Sequence, residues 1–351
     1  MRILVDMGHP GHVHFFRYAL RELESKGHDI MICARDKDVT LSLLDHYQFP
    51  YKVLSKMGHG TLGLSREFIR REWQLMRLIK SFNPDVVTAI GGLFIAPVAR
   101  LMNKPSIVFT DTESVPLDTY LTYPFASVIC TPDCFLNNLK GRHLRYAGLH
   151  ELAYLHPNRF VPDPNVLNEL GITEKEPFFI LRFVAWQATH DIGQHGFSFA
   201  FKKKLIEKLA LHGRVLISSE GHLPKAFESY RLRLPPQKIH HALHYASLFI
   251  GEGATMATEA GILGTPSIYT SSLAVNLGNF IELMDRYKLV LSYPDQEQAL
   301  LSALELITDE SAKDKWNQRR ENLLAEKIDV TSYVVDLLEN STEIIRKGRQ
   351  P

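Results

Sequence analysis

A glycine-rich segment at 248–269 is the part of the sequence best suited to bind a ligand. An apolar strand pattern ends in Gly251 and Gly253, and an apolar helix pattern begins directly after the second glycine. The first N–H groups of a helix have no intrahelical partners and carry partial positive charge, so they attract anions. We therefore expect a diphosphate to bind at the backbone of Gly253, Ala254, Thr255 and Met256.

Glu259 lies about one helical turn beyond these N–H groups. A carboxylate accepts hydrogen bonds from two neighbouring hydroxyls, which a ribose offers. The segment thus predicts a nucleotide diphosphate site, with Thr255 adding its hydroxyl. The alternative is an ordinary β-α-β unit in which the helix is capped and Glu259 lies at the surface.

Three histidines, His9, His12 and His14, follow the first strand pattern and are interspersed with Gly8 and Gly11. Glycines let a ligand approach the backbone, and an unperturbed imidazole titrates near neutral pH. We expect His9 or His12 to accept a proton or to contact substrate, since His14 already belongs to the following helix. A tight turn with capping histidines is the structural alternative. A zinc site is the other, although three ligands this close in sequence rarely converge.

Two carboxylates, Asp111 and Glu113, follow another strand pattern. Carboxylates there serve as acid, base or acceptors for sugar hydroxyls, so we expect Glu113 in catalysis and Asp111 in substrate contact. A capping aspartate with a solvated neighbour is the alternative. His150 and Glu151, beside the expected domain boundary, are further candidates for substrate contact, and a hinge contact is equally consistent with their position.

Arg182 ends a strand pattern and begins a polar segment that contains Trp186, His190 and His195. An arginine there could neutralise a departing diphosphate. Long polar loops at strand ends commonly carry function, so we expect Trp186 and His190 to line the substrate site.

Asp36 and Asp38 have the Asp-x-Asp spacing that binds a metal–diphosphate complex in some transferases. The pair stands where a strand pattern passes into a helix pattern, which capping and the helix dipole explain. We therefore expect no metal ion and no cofactor.

These candidates fall at the ends of strand patterns that alternate with amphipathic helix patterns in both halves of the chain. Such alternation predicts parallel sheets covered by helices, which bind ligands at the carboxyl ends of their strands. Three prolines within 157–164 favour extended chain, so we place the boundary there. The expected domains are 1–157 and 158–351. An apolar stripe over 330–338 predicts that one late helix packs back on the N-terminal domain.

Composition excludes several classes of protein. The 351 residues carry a net charge of +1, which provides no global field for nucleic acid. Three cysteines without redox or zinc spacing indicate a reducing compartment. The sequence begins in a strand pattern without a leader, and no apolar run reaches membrane-spanning length, so we expect a cytoplasmic protein. The oligomeric state stays open, a homodimer included.

A helix pattern over 66–80 carries five basic residues together with Phe68, Ile69, Trp73 and Met76. A basic amphipathic helix can rest on an anionic membrane, which predicts weak peripheral membrane contact near a lipid-linked acceptor. The alternative is a solvated face opposite a core face.

The Gly253-Ala-Thr255 stretch, the Glu259-Ala-Gly261 triplet and Gly264-Thr-Pro266 resemble the nucleotide-binding segment of glycosyltransferase-B enzymes. Transferases of the MurG type and UDP-N-acetylglucosamine 2-epimerases share that layout, with the helix N-terminus holding the diphosphate and the glutamate the ribose. The loop at 8–12 is similar to the N-terminal loop of such transferases. The resemblance implies an α/β fold of two Rossmann-like domains facing each other across a cleft, with a helical C-terminal segment.

Almost the whole chain, to about residue 340, also resembles domain of unknown function 354. That resemblance rests on Gly148-Leu-His-Glu-Leu-Ala-Tyr154, Glu259-Ala-Gly261 and Gly278-Asn-Phe280. The family is grouped with glycosyltransferase-like proteins. Its reaction is unassigned, so this resemblance implies the fold more than the activity. From the site residues we expect metal-independent transfer of a sugar from a nucleotide sugar, UDP-linked, to an acceptor that the sequence does not identify, a lipid-linked molecule or a glycan included.

The 2-epimerases carry a glutamate after a strand of the first domain, matched loosely by Glu113. They also carry an Arg/Glu-rich segment after the nucleotide helix, where this chain has the uncharged stretch 270–275. We therefore expect an inverting transferase. A UDP-sugar 2-epimerase is the alternative enzyme, and a non-catalytic nucleotide-sugar-binding protein is the third hypothesis.

Overall fold

The computed structural model describes residues 1–347 except 57, 59, 114, 174–175, 185–196, 220 and 271–276, and except the side chains of 61, 62, 116 and 347. The chain divides into two compact units. Unit 1 comprises Met1–Arg159 and Lys327–Pro351, and unit 2 comprises Phe160–Glu326. The first division falls within the proline-containing segment, and the second assigns the end of the chain to unit 1.

Unit 1 contains a seven-stranded sheet in which all neighbouring strands are parallel. Its strands are β1 (Arg2–Met7), β2 (Asp29–Asp36), β3 (Tyr51–Lys56), β4 (Val86–Ile90), β5 (Ser106–Phe109), β6 (Val128–Pro132) and β7 (His143–Tyr146). They lie in the order β3-β2-β1-β4-β5-β6-β7. The order reverses between β1 and β4, and open sheets bind ligands beside the carboxyl ends of strands at such a point.

Helices cover both faces of this sheet. They are α1 (Pro10–Ser25), α2 (Thr40–His46), α3 (Gly60–Phe82), α4 (Ile95–Leu101), α5 (Pro116–Leu121) and α6 (Leu152–Leu155). Leu4 of β1 packs in one cluster with Leu75 of α3 and Ile95 of α4. Successive side chains of a strand point to opposite faces, so the fully buried Ile3 and Val5 require cover on the other face as well.

Unit 2 contains a five-stranded parallel sheet. Its strands are β8 (Phe178–Phe183), β9 (Arg214–Ser219), β10 (Leu248–Gly251), β11 (Ser267–Tyr269) and β12 (Leu291–Ser292), in the order β12-β11-β10-β8-β9. Its helices are α7 (Asn165–Leu170), α8 (Phe199–Leu209), α9 (Ile239–Tyr245), α10 (Ala254–Ile262), α11 (Gly278–Ile281), α12 (Gln296–Thr308) and α13 (Ala312–Glu326). Apolar side chains of α8 and α12 bury one face of the sheet.

The last two helices, α14 (Val330–Glu339) and α15 (Ser341–Lys347), belong to unit 1. The hydroxyl of Thr331 donates to the carbonyl of Ala153 at 2.6 Å. At the other end of α14, Glu339 accepts from Lys26 of the turn after α1 at 2.8 Å. The apolar stripe of α14 therefore packs on the N-terminal part of the chain, against α1 and α6.

Short elements account for most differences from the sequence prediction. Strand β7 and helices α5, α6, α7 and α9 were not predicted, because four to seven residues are too few to display a period. A single helix expected over 330–345 is interrupted at Asn340, and the one expected over 277–286 becomes α11 followed by a π-helical turn at Glu282–Arg286. None of the helices in the described ranges is long and apolar enough to cross a membrane.

Candidate functional site

The N-terminus of α10 lies at the carboxyl end of β10, the central strand of unit 2. Gly253 is the N-cap residue, and no side chain among the described residues caps this first turn. The first backbone hydrogen bond of the helix is donated by the N–H of Ala257 to the carbonyl of Gly253, at 3.2 Å. The N–H groups of Ala254, Thr255 and Met256 therefore point out of the helix end, and Thr255 is exposed. This geometry suits an anion.

Arg182 of β8 lies directly against the two glycines before α10. Gly251 is paired with Arg182 in the sheet, and a Cβ atom built on Gly251 would lie 2.6 Å from Cβ of Arg182. A Cβ atom on Gly253 would lie 3.2 Å from Cγ of Arg182 and 3.8 Å from Nε. Nη1 of Arg182 donates to Oγ of Ser218 at 2.7 Å. The glycines thus allow a guanidinium to lie beside a helix N-terminus, which concentrates positive charge there.

Glu259 is buried on the second turn of α10, with 6% of its surface exposed. Oε1 lies 3.0 Å from Nε2 of His240 on α9. The surface position weighed for Glu259 is wrong, because packing of α9 against α10 covers it. Contact with a ribose stays a prediction. Sequence reasoning missed His240, since nothing local relates it to the glycine-rich segment.

Glu252, between the two glycines, is a second carboxylate that the sequence analysis missed. It is buried, and it accepts hydrogen bonds from the N–H groups of Val184, at 3.1 Å, and Phe197. These two residues flank 185–196, so Trp186, His190 and His195, predicted within that segment, lie outside the described residues. The sequence does contain a signal for Glu252, because a charged residue there directly follows an apolar strand pattern.

The histidines after β1 have defined hydrogen-bonding roles. His9 is the N-cap of α1, with Nδ1 accepting from the N–H of Gly11 at 3.1 Å, so the capping alternative is confirmed for His9. Nδ1 of His12 accepts from the N–H of Gly8 at 3.3 Å. A ring nitrogen that accepts a hydrogen bond carries no proton, so each neutral ring carries its proton on Nε2. Both rings present an N–H donor.

His12 also remains uncharged. Burial, together with the neighbouring His9, His150 and Lys37, lowers the pKa of His12 to about 3, and Asp111 opposes this only in part. The acid–base role predicted for His9 and His12 stays a prediction, and the geometry favours donation over proton acceptance. His14 packs inward, with its ring 5.4 Å from that of Tyr154.

Asp111 and His150 come together at the carboxyl end of β5. Oδ2 of Asp111 lies 3.2 Å from Nδ1 of His150, and the hydroxyl of Thr112 donates to Oδ1 at 3.1 Å. The side chain of Asp111 is 22% exposed and that of His150 9%. Burial alone would raise the pKa of Asp111, but the neighbouring His150 and the Thr112 hydroxyl lower it.

The other predicted carboxylates are held in the framework of unit 1. Oε1 of Glu113 accepts from the N–H of Leu136 at 2.9 Å, which fixes the loop after β5 to the segment after β6. Glu151 is buried at the start of α6. The catalytic role of Glu113 and substrate contact by Glu151 stay predictions.

A buried network supports the ends of β1, β2 and β3. Arg71 of α3 is fully buried and donates to Asp6 and to Ser55, the latter at 2.9 Å. Arg35 donates twice to Glu67, at 2.6 and 2.7 Å. Burial alone would raise the pKa of Glu67, yet these bonds with those from Gly58 and Ser55 lower it to about 2. Arg71 is therefore not part of the solvent-facing basic stripe expected of this helix.

Two parallel α/β units and a helical C-terminal segment define a glycosyltransferase-B fold. The chain belongs to the family described as Protein of unknown function (DUF354), which matches residues 1–338. An uncharacterized protein of Methanocaldococcus jannaschii is 25% identical over 279 residues, covering 76% of this chain and 80% of that protein.

A UDP-N-acetylglucosamine–N-acetylmuramyl-(pentapeptide) pyrophosphoryl-undecaprenol N-acetylglucosamine transferase of Elusimicrobium minutum is 23% identical over 167 residues, 45% of this chain and 46% of the relative. Two solved structures are similar in fold. A putative UDP-N-acetylglucosamine 2-epimerase of Listeria monocytogenes has a TM-score of 0.67 and 12% identity, covering 97% of this chain and 96% of its own. MurG of Acinetobacter baumannii has a TM-score of 0.60 and 15% identity, and the match covers 97% of this chain and 100% of the MurG chain.

Proposed function

We propose that this protein transfers a sugar from a nucleotide diphosphate sugar, UDP-linked, to a hydroxyl-bearing acceptor, without a metal ion. Unit 2 binds the donor and unit 1 the acceptor. The observation that carries the proposal is the uncapped N-terminus of α10 with Arg182 packed against Gly253.

The leaving group in such a transfer is a nucleoside diphosphate, whose negative charge grows as the bond to the sugar breaks. Preorganised N–H groups and a guanidinium stabilise that charge without reorganising during the reaction. The N–H groups of Ala254, Thr255 and Met256 supply the first of these, and Arg182 supplies the second. Glu259, one turn further along α10, is the acceptor for the ribose hydroxyls.

The relatives support the same class of substrate. The Elusimicrobium minutum relative is a named N-acetylglucosamine transferase, and the Listeria monocytogenes structure is a putative UDP-N-acetylglucosamine 2-epimerase. Both names involve an N-acetylglucosamine compound. The uncharged stretch at 270–275 favours transfer over epimerisation.

A screen of nucleotide sugars tests the proposal. The protein is incubated with UDP-, dTDP- and GDP-sugars, with and without lipid-linked and glycan acceptors, while melting temperature and nucleoside diphosphate release are recorded. We expect stabilisation by UDP-sugars and acceptor-dependent release of UDP. Arg182→Ala should lose both responses, and Lys203→Ala, an exposed cation on α8, should keep them.

Each other outcome contradicts the proposal in a different way. An epimeric sugar nucleotide without UDP release would identify a 2-epimerase. Stabilisation without any turnover would identify a binding protein that retains the fold. Absence of stabilisation by every nucleoside diphosphate would reject the donor site at α10.

A further inference from the structure

The loops after β1, β4 and β5 lie side by side at one edge of the sheet of unit 1, because β4 is hydrogen-bonded to both other strands. Adjacent strands are about 4.8 Å apart, so the outer two loops are separated by about 10 Å. The middle strand is followed by Gly91 and Gly92, with φ angles of 79° and 72°. A Cβ atom on Gly91 would meet nothing within 4 Å. The space above Gly91, in the middle of this edge, is therefore open.

The two flanks of this edge have opposite hydrogen-bonding character. On the β1 side, Nδ1 of His12 is occupied by the N–H of Gly8, so Nε2 carries the proton and donates. On the β5 side, Asp111 is a carboxylate whose side chain is 22% exposed. His12 interacts electrostatically with both Asp111 and His150, so a donor and an acceptor come together at this edge of the sheet.

The side chain of His150 contacts the carboxylate of Asp111. Its Nδ1 lies 3.2 Å from Oδ2 of Asp111, and its Nε2 is buried with no hydrogen-bond partner in the described part of the chain. A buried N–H without a partner is costly, so the geometry places a ring N–H on Nδ1, where Oδ2 of Asp111 accepts it. The ring is packed between Phe15, with centroids 4.7 Å apart, and Tyr146, stacked at 6.4 Å. This packing fixes the direction of the Nδ1–H bond.

We propose that Asp111 accepts the proton of the acceptor hydroxyl and that His150 is its positioning residue. This inference rests on the proposed glycosyl transfer. The acceptor oxygen forms a bond to the anomeric carbon while the bond from that carbon to the diphosphate oxygen breaks. The electron pair of the broken bond leaves with the nucleoside diphosphate, and the hydroxyl proton moves to Asp111. His12 donates its Nε2–H to a second oxygen of the acceptor.

The charges around the pair agree with these roles. The titratable groups that interact with the pair are His12 and Tyr146; His12 in turn lies near His9 and Lys37, and Tyr146 near Glu151. Burial raises the pKa of Tyr146 well above its ordinary value and lowers that of His12, so both are neutral at pH 7. His150 keeps the pKa of Asp111 low against the effect of burial, so this carboxylate is ionised and ready to accept.

Nuclear magnetic resonance tests the pair without any substrate. In the protein labelled with ¹⁵N and ¹³C, ring spectra should show a proton on Nδ1 of His150 and protons on Nε2 of His9 and His12. The carboxyl carbon of Asp111 should titrate below its ordinary range, and His150→Leu should move that titration upward, because burial is then unopposed. A ring proton on Nε2 of His150 with none on Nδ1, or an unchanged Asp111 titration in His150→Leu, would overturn the positioning role.

Kinetics test the chemical role. Asp111→Asn should lower kcat about 10²–10⁴-fold, the usual contribution of a positioned proton acceptor, while UDP affinity stays constant. His150→Leu should move the acid limb of the kcat profile to higher pH. His150→Asn, whose amide N–H replaces the Nδ1–H donor, should restore that limb. Asp29→Asn, which removes an exposed carboxylate of β2, is the control and should keep the wild-type rate.

Melting temperatures of all four variants separate misfolding from chemistry. If wild-type protein transfers sugar and folded Asp111→Asn does so at the same rate, this inference is wrong and the proposed function stands. If wild-type protein neither binds UDP nor releases it from any donor, the proposed function fails, and with it the proton transfer assigned to Asp111.

Discussion

Oε1 of Glu259 lies 3.0 Å from Nε2 of His240, and both side chains are almost fully buried. The carboxylate expected to hold a ribose is thus oriented by a neighbouring helix before any nucleotide binds. Preorganisation of this kind lowers the entropy that binding must overcome.

Glu259→Ala should therefore weaken UDP binding by about 1–3 kcal/mol, because a charged hydrogen-bond partner is lost. Titration calorimetry with UDP measures it. Glu259→Gln keeps an oxygen acceptor for His240 but removes the negative charge. It therefore separates the effect of losing the contact with His240 from the effect of losing the charge of the carboxylate. Glu207→Ala, on the exposed face of α8, is the control. Unchanged affinity in both Glu259 variants would remove this residue from the nucleotide site.

Gly251→Ala should destabilise unit 2 by about 1–3 kcal/mol, the usual effect of forcing an extra carbon into packed structure. Its Cβ atom would lie 2.6 Å from Cβ and 2.8 Å from the carbonyl oxygen of Arg182, so β8 and β10 would have to separate. Urea unfolding measures the change. Gly8→Ala is the matched control, since its Cβ atom would meet nothing within 4 Å. Equal stability of the two variants would contradict the close strand contact.

Asp118 of α5 should make stability depend on pH in the sense opposite to most carboxylates. Burial raises its pKa to about 6, although the hydroxyl of Thr122 donates to it at 2.8 Å. The folded chain then binds more protons than the unfolded chain between about pH 4 and 6, so stability falls as pH rises through that window.

Asp118→Asn keeps an oxygen acceptor for Thr122 and removes this loss. We expect it to be more stable than wild type by about 1–3 kcal/mol at pH 8 and equal to it near pH 3.5. Thermal unfolding at both pH values checks this. The control is Asp38→Asn, at an exposed position, which should leave the difference between the two pH values unchanged. A destabilised Asp118→Asn at pH 8 would mean that the buried carboxylate is better paired than its surroundings indicate.

His12→Ala should lower turnover about 10²–10³-fold through loss of an N–H donor, with UDP affinity nearly constant. Because its pKa is lowered to about 3, His12 stays neutral from pH 5 to 9 and should contribute no limb to the pH profile in that range. Single-turnover rates and melting temperatures for His12→Ala and His9→Ala decide between chemistry and folding. Full turnover in both variants would reject a role for this loop in the reaction.

From the exposed surface of helix α3 we predict contact with an anionic membrane. Its solvent-facing stripe combines the apolar side chains of Ile69, 70% exposed, and Trp73, 49% exposed, with the cations Arg66, Arg70, Arg77 and Lys80. The guanidinium of Arg77 lies 3.7 Å from the centroid of the Trp73 ring. Such a face pairs apolar insertion with attraction to acidic headgroups.

Ile69→Ala/Trp73→Ala should reduce cosedimentation with phosphatidylglycerol-containing vesicles at low salt. Leu211→Ala, equally apolar and exposed on unit 2, should not. Binding should weaken as salt is added, because the cations contribute through screened charge. Equal binding to neutral phosphatidylcholine vesicles would argue against the electrostatic part of this surface.

The sequence by itself determined the elements whose signals are local. The glycines before α10, the free N–H groups of its first turn and the apolar strands on either side occupy one continuous stretch, so a single segment carries every feature from which we propose the diphosphate site. The same holds for the β1–α1 loop, where His9 caps the helix whose start it marks. Periodicity over long segments likewise predicted β1, β8, α1 and α12 with ends within a few residues of those observed.

Only the tertiary structure decided which side chains act together. His240 meets Glu259 because α9 packs on α10, and Arg71 reaches Asp6 across 65 positions of the chain because α3 covers β1 and β3. Asp111 is paired with His150, whereas nothing in the sequence distinguished Asp111 from His9 or His12 as the proton acceptor. Partners of this kind depend on the order of strands in a sheet and on which helix covers which face. The spacing of residues along the chain does not determine the strand order. The strand order is selected by the burial of apolar surface over the whole unit.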